Sequence, residues 1–174
     1  FPLKNINYVG GDPTPNLHII LDSLKNLEHN IPLIWNSNFY NSEIVVSLLL
    51  DIFDLWLPDF KYGNNNCGLR YSGVINYFDV LKRNFKMIYR NGKEDIIIRH
   101  LLMPGHIECC TFPILEFVHN EIPNAQVNIM EQYRPQFKVN SNKFPEINRR
   151  CSQEEFSKAY KKAKELGINY ELCS

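Results

Sequence analysis

Apolar runs and helical patterns alternate along this chain from end to end, and that alternation restricts its fold more than any other feature. Apolar stretches at 6–10, 32–36, 53–60, 95–105 and 126–133 read as strands, continuous enough to lie beneath helices. Between them come helical patterns. Over 14–30, Leu17, Ile20, Leu21, Leu24 and Leu27 recur at helical spacing behind Thr14, a natural N-cap, and Pro15, suited to a first turn. Residues 41–52 give a second helix, 74–92 a third closed by Gly92, and the second half of 108–120 a fourth, where Pro113 suits a first turn. The last opens on Ser152 with Glu155 three residues on, a capping box. It buries Phe156, Ala159, Tyr160 and Ala163 and ends at Gly167. The Gly- and Asn-rich stretch 61–73 and the polar segment 134–150 read as loops. Five βα units in series imply an α/β fold with a parallel sheet and right-handed crossovers, in a single domain spanning 1–174.

Charge and cysteine usage narrow the function classes. Lys and Arg number 19 against 19 Asp and Glu, a formal net charge of +0, so the chain lacks the basic field that non-specific nucleic-acid binding needs. No apolar run approaches the roughly 18–20 residues of a membrane span. The five cysteines, Cys67, Cys109, Cys110, Cys151 and Cys173, include an adjacent pair and no Cys-x-x-Cys. That pattern reads as reduced thiols in a cytoplasmic protein, with Cys109–Cys110 packing a helix start.

In parallel α/β folds, ligands lie beyond the carboxyl ends of the strands. Here those ends read "GGDPT", "NSN", "PDFKYGN", "RHLLMPGH" and "MEQYRP". All five are polar and several are charged, which points to a shared site. Arg99 stands inside "IIIRHLL", where an unpaired guanidinium would be costly to bury, so it faces an anion, a core acid or a polar interior. His100 points to the other side of that strand as a structural histidine, and His106 sits in the following loop within reach of the site.

The order of "GGDPTP", "WNSNFY", "LPDFKYGN", "IIIRHLLMPGH", "VNIMEQYRP" and "EINRRCSQEEF" resembles the radical S-adenosylmethionine superfamily, in particular proteins like the activating enzyme of pyruvate formate-lyase. The resemblance implies a partial (β/α) barrel of parallel strands in which the first βα unit is missing. It further implies that Gly10, Gly11 and Asp12 hold the amino group of the methionine moiety through backbone carbonyls, which a Cβ would obstruct. Asp12 stands where that motif carries Glu. By the same resemblance Asn36, Ser37 and Asn38 line the cofactor pocket, and Lys61 and Arg99 reach its anionic side. Gln132 or Tyr133 takes the place of a strand-end histidine. Asp59 is the candidate ligand for a monovalent cation, while the neutral Asn36 replaces that site's other acid.

Chemistry of that class needs S-adenosylmethionine and a [4Fe–4S] cluster held by Cys-x-x-x-Cys-x-x-Cys, a spacing this chain lacks, so a cluster is not expected in it. A start at Phe1 rather than Met fits a fragment of a longer protein. Two readings stay open. In the first, the intact protein is a radical S-adenosylmethionine activating enzyme that works through a 5′-deoxyadenosyl radical on a glycyl-radical enzyme or another substrate, and this fragment is inactive alone. In the second, the chain is a non-catalytic domain that binds an anionic small molecule at its strand ends. A barrel lyase using Lys61 with Asp59 is a weaker third. A missing first unit also exposes the strand at 6–10 as an edge, from which self-association follows.

Overall fold

The computed structural model describes residues 3–27, 30–93 and 95–173, with side chains described through residue 171. Six strands and six α-helices alternate among these residues: β1 (Ile6–Tyr8), α1 (Leu17–Leu24), β2 (Leu33–Ser37), α2 (Glu43–Leu49), β3 (Leu55–Pro58), α3 (Asn65–Ser72), α4 (Tyr77–Asn91), β4 (Asp95–Leu101), α5 (Phe112–Glu121), β5 (Gln126–Met130), α6 (Gln153–Glu165) and β6 (Tyr170–Cys173). The strands form one sheet in the order β1-β2-β3-β4-β5-β6, with every pair parallel. This is the expected α/β fold with one strand more than the sequence pattern gave. β6 follows the left-handed turn at Gly167 (φ 65°) and pairs Tyr170 with Val127; four residues after the last helix carry too little periodicity to announce a strand.

The sheet's two faces differ, contrary to the expectation of strands buried on both sides. β2 is buried at all five positions, but β3, β4 and β5 alternate between buried and half-exposed residues. The buried set includes Trp35, Trp56, Ile98, Val127 and Ile129 and packs beneath the helices. Phe39 meets both Trp56 and Phe85 of α4, with ring centroids 5.5 and 4.9 Å away. Leu81, Phe85 and Ile88, fully buried at i, i+4 and i+7, give α4 its inward stripe, and Gly92 closes it in the left-handed region (φ 69°). The other face is half-open and polar, and it carries the site.

Local chemistry corrects three expectations. Thr14 does not cap α1: the Asp12 carboxylate accepts the Thr14 N–H (3.0 Å), a 3₁₀ turn fills Thr14–Asn16, and Asn16 takes the N-cap position. Of the apolar stripe over 14–30, only Ile20 is buried, because α1 lies over the sheet edge at β1; Glu28 and His29 lie outside the described residues. The stretch 61–73 is not all loop but contains α3. Asn64 caps that helix by accepting the Cys67 N–H (2.8 Å), and Gly73 ends it at φ 69°. The capping box of α6 is present: Ser152 and Glu155 exchange bonds of 3.2 and 2.8 Å. Glu155 also accepts from Gly105 N–H (2.6 Å) and takes both guanidinium nitrogens of Arg149, which hold its carboxyl down to about 2. Among the described residues no helix is long and apolar enough to cross a membrane.

Candidate functional site

Register places a row of polar side chains across the open face. Asn36 pairs with Leu57, Asp59 bridges Arg99, and Arg99 pairs with Asn128, so Asn36, Asp59, Arg99 and Asn128 share one face of the sheet. At its carboxyl end Asp59 and Arg99 open into a cleft of about 680 Å³. Asp59, Lys61, Arg99, Leu101 and Met130 form the floor of this cleft. Gln132, Tyr133, Arg134, Gln136, Phe137 and Val139, from the segment after β5, form its wall.

The electrostatic centre of the cleft is one carboxylate between two cations. Asp59, 15 % exposed, receives Arg99 Nη2 on Oδ1 at 2.5 Å and Lys61 Nζ on Oδ2 at 2.9 Å. Arg99 thus has an acid partner, yet its Nε is buried and unpartnered, as are the amide oxygens of Asn36 and Asn128. Buried polar atoms are normally satisfied, so three orphans on one face mark a place where hydrogen bonds remain to be made. Three cations, Lys61, Arg99 and Arg134, line the cleft against the single acid Asp59, which gives it an anion-accepting character.

A smaller niche of about 130 Å³ shares Asp59 and Lys61 with the cleft and is walled by Asn38, Tyr40, Tyr62 and Tyr77. Tyr40 stacks on Tyr77 (6.4 Å), Tyr62 meets Tyr77 edge-on (5.0 Å), and the Tyr77 hydroxyl accepts the Lys61 N–H (3.0 Å). Burial pushes the Tyr77 hydroxyl well above the usual phenol range, so it stays protonated.

The structure brings Asp59, Lys61, Arg99, Gln132 and Tyr133 together in the cleft and places Asn38 in the niche. Tyr133 itself is largely buried, its hydroxyl donating to Ile147 O (3.0 Å). Ser37 lies on the opposite face from Asn36 and accepts the Phe39 N–H (3.2 Å). Gly10 and Gly11 take positive φ (114° and 52°), with open space where a Cβ would lie. Asp12 clasps the β1 loop to the β2 loop by accepting the Asn38 N–H at 2.9 Å. The sequence reading missed Asn128 and the wall residues Arg134, Gln136, Phe137 and Val139. Arg134 directly follows the "MEQY" strand end and was the available signal.

His100 has the structural role expected of it. Its Nδ1–H donates to Phe60 O (2.6 Å) and its Nε2 accepts from Thr111 Oγ1 (2.9 Å). Burial lowers its pKa from 6.5 to about 4. Between those values the unfolded chain binds a proton that the folded chain refuses, so stability falls as pH drops from about 6.5 to about 4. Chemical denaturation across that range should show this slope, and a variant carrying His100→Gln should show a shallower one, because burial also lowers the His106 pKa.

Cys109 and Cys110 do more than pack a helix start. With Cys67 and His106 they bring four ligand-type atoms within 4.8 Å of one another. The sequence hid this group because Cys67 lay in a supposed loop 42 residues before Cys109. The local signal was His106 three residues before Cys109 in the chain.

No protein-family model matches the chain. It is 48% identical over 166 residues to the uncharacterized protein MJ0674 of Methanocaldococcus jannaschii, an alignment covering 95% of this chain and 48% of that protein. The chain therefore spans about half the length of the curated relative it matches. Among solved structures it superposes on a domain of pyruvate-formate lyase-activating enzyme from Bacteroides vulgatus with a TM-score of 0.75 at 14% identity, covering 99% of this chain and 100% of that one. It also superposes on a radical SAM methyltransferase from Sphaerobacter thermophilus with a TM-score of 0.71 at 13% identity, covering 99% of this chain and 51% of that one. The resemblance read from the strand ends is thus matched by the fold, and in fold this chain resembles the radical S-adenosylmethionine proteins.

Proposed function

We propose that the strand-end cleft binds S-adenosylmethionine and that this chain is the cofactor-binding part of a longer radical S-adenosylmethionine protein of the activating-enzyme type. The observation that carries this reading is the Asp59–Lys61–Arg99 cluster, with a buried donor on Arg99 left free at the carboxyl end of the sheet. The cofactor's residues fit. Arg99 Nε and Lys61 offer donors to its carboxylate, and the unpartnered amide oxygens of Asn36 and Asn128 on the same face are acceptors suited to its amino groups. The tyrosine niche beside Asp59 offers an aromatic wall. Beside a reduced iron–sulfur cluster, S-adenosylmethionine supplies a carbon-centred radical that abstracts hydrogen from a protein glycine or another substrate. This chain's part is to bind, orient and exclude water.

The cluster itself does not fit this chain: no Cys-x-x-x-Cys-x-x-Cys is present. A relative about twice as long leaves room for cluster ligands outside the matched half. The test is to express the full-length gene product anaerobically with iron and sulfide, then reduce it with S-adenosylmethionine present. Release of 5′-deoxyadenosine and methionine supports the reading; no cleavage by a cluster-loaded protein overturns it. The second reading, a non-catalytic domain for an anionic small molecule, draws on the same excess of cationic lining. It would survive that failure if the isolated chain still bound carboxylates in the cleft.

Self-association belongs to the same proposal. β1 is a sheet edge, and Val9 and Ile19 nearby are 60% and 58% exposed. Sedimentation of the 174-residue chain should show a concentration-dependent dimer. A sharply monomeric profile, with the β1 amides protected from exchange, would count against it.

A further inference from the structure

The group formed by Cys67, His106, Cys109 and Cys110 is separate from the cleft and comes from two places in the fold. Cys67 stands in the first turn of α3, after β3. His106, Cys109 and Cys110 lie at the π-helical turn Ile107–Thr111, after β4. His106 Nδ1 lies 3.1 Å from Cys109 Sγ and 3.7 Å from Cys67 Sγ, and the Cys109 and Cys110 sulfurs are 3.9 Å apart. In a tetrahedral zinc site with bonds of about 2.0–2.3 Å, ligand atoms stand about 3.3–3.8 Å from one another. The observed spacings straddle that range. A four-iron cluster places its own atoms between its ligands and needs a wider cage than the 4.8 Å span allows.

The surroundings set these atoms up as ligands. Tyr71 donates its hydroxyl hydrogen to Glu146 Oε1 (2.7 Å), so its oxygen is left to accept the His106 Nε2–H at 2.8 Å. The proton of the imidazole is thereby fixed on Nε2, and Nδ1 turns a lone pair toward the three sulfurs. Arg70 holds Glu146 through Nε (2.8 Å) and Nη2 (2.6 Å), completing a three-residue relay behind the ring. Such an outer partner on the second imidazole nitrogen is the usual companion of a metal-bound histidine. On the sulfur side, the Asn64 amide donates to Cys67 Sγ (3.3 Å), Cys110 Sγ (3.9 Å) and Cys109 O (2.8 Å). Gly63 leaves room for the turn: a Cβ there would fall 2.2 Å from Cys110 O.

We propose that Cys67, His106, Cys109 and Cys110 bind one zinc ion in a closed Cys₃His site that staples α3 to the turn after β4. All four tetrahedral positions come from the protein, which makes the site structural. Its effect reaches the niche beside the cleft through one layer of rings: Tyr71 stacks on Tyr62 (6.0 Å), and Tyr62 walls that niche. The proposal does not depend on the reading of the cleft.

The test is metal content and cobalt spectroscopy on the 174-residue chain purified under reducing conditions. The wild-type chain should retain close to one equivalent of zinc after dialysis. Cobalt substitution should give the intense visible bands of a tetrahedral thiolate site. Cys109→Ser and His106→Gln should each weaken binding by about a hundredfold or more, Tyr71→Phe by about tenfold, and Cys151→Ser not at all. Cys109 is exposed, so its variant keeps the test valid even if Cys67→Ser fails to fold. Sub-stoichiometric zinc in the wild type, a disulfide among these thiols under the same conditions, or retention of zinc by both Cys109→Ser and His106→Gln overturns the site.

Discussion

Replacing Gly63 with alanine should destabilise the chain by on the order of 3 kcal/mol, a fall of roughly 10 °C in the unfolding midpoint for a domain of this size. The cause is steric and involves backbone. A Cβ at position 63 would lie 2.2 Å from Cys110 O and 2.6 Å from its Cα, and neither atom can rotate away as a side-chain tip can. Either the exit from β3 or the turn carrying His106, Cys109 and Cys110 has to shift. The comparison that isolates this cause is Gly73→Ala. Gly73 has a left-handed φ of 69° but no neighbour within 4 Å of its Cβ position, so its substitution should cost only about 1 kcal/mol. Thermal and denaturant unfolding of both variants checks the order. If Gly63→Ala were as mild as Gly73→Ala, the close approach of the two loops would be wrong.

Replacing Arg99 with methionine should weaken binding of S-adenosylmethionine by about 10- to 100-fold, the worth of one charge-assisted contact of about 1.4–3 kcal/mol. Methionine keeps the length and apolar body of the stem and removes the free Nε donor. Asp59 would keep Lys61 as a partner at 2.9 Å, so the loss should appear in affinity more than in folding. Arg149 serves as the control. It is equally charged but engaged with Glu155, away from the cleft lining, and Arg149→Met should leave affinity unchanged. Calorimetric titration of the three proteins at one ionic strength measures this directly. Equal affinities for wild type and Arg99→Met would remove Arg99 from the site.

The architecture was legible because parallel α/β folds write their period into the chain. The helical spacing and Gly92 stop of α4, the Ser152–Glu155 box of α6, and Pro113 in the first turn of α5 were each visible and each present. What escaped was decided by tertiary geometry. α3 was hidden because Gly and Asn disfavour helix, yet Asn64 caps it. Gly68 fits there because a Cβ would strike Tyr77 at 2.4 Å. The open face of the sheet was hidden because Leu57, Leu101 and Met130 read as core residues and instead border the polar row or line the cleft. Arg99 and Asp59 were each legible as site residues, but their pairing was not, since they meet only through strand register. The Cys₃His group was hidden for the same reason: its parts adjoin in space across the ends of β3 and β4, not in sequence.

The most direct test of the account is to titrate the 15N-labelled 174-residue chain with S-adenosylmethionine and follow the arginine Nε–H resonances with the backbone amides. The account predicts that the Arg99 Nε–H, buried and unpartnered in the free chain, shifts on binding together with the amides of Lys61 and Gln132, while the Arg149 Nε–H stays in place. A saturable titration that leaves Arg99 unmoved, or no shifts at all at high cofactor concentration, would contradict it.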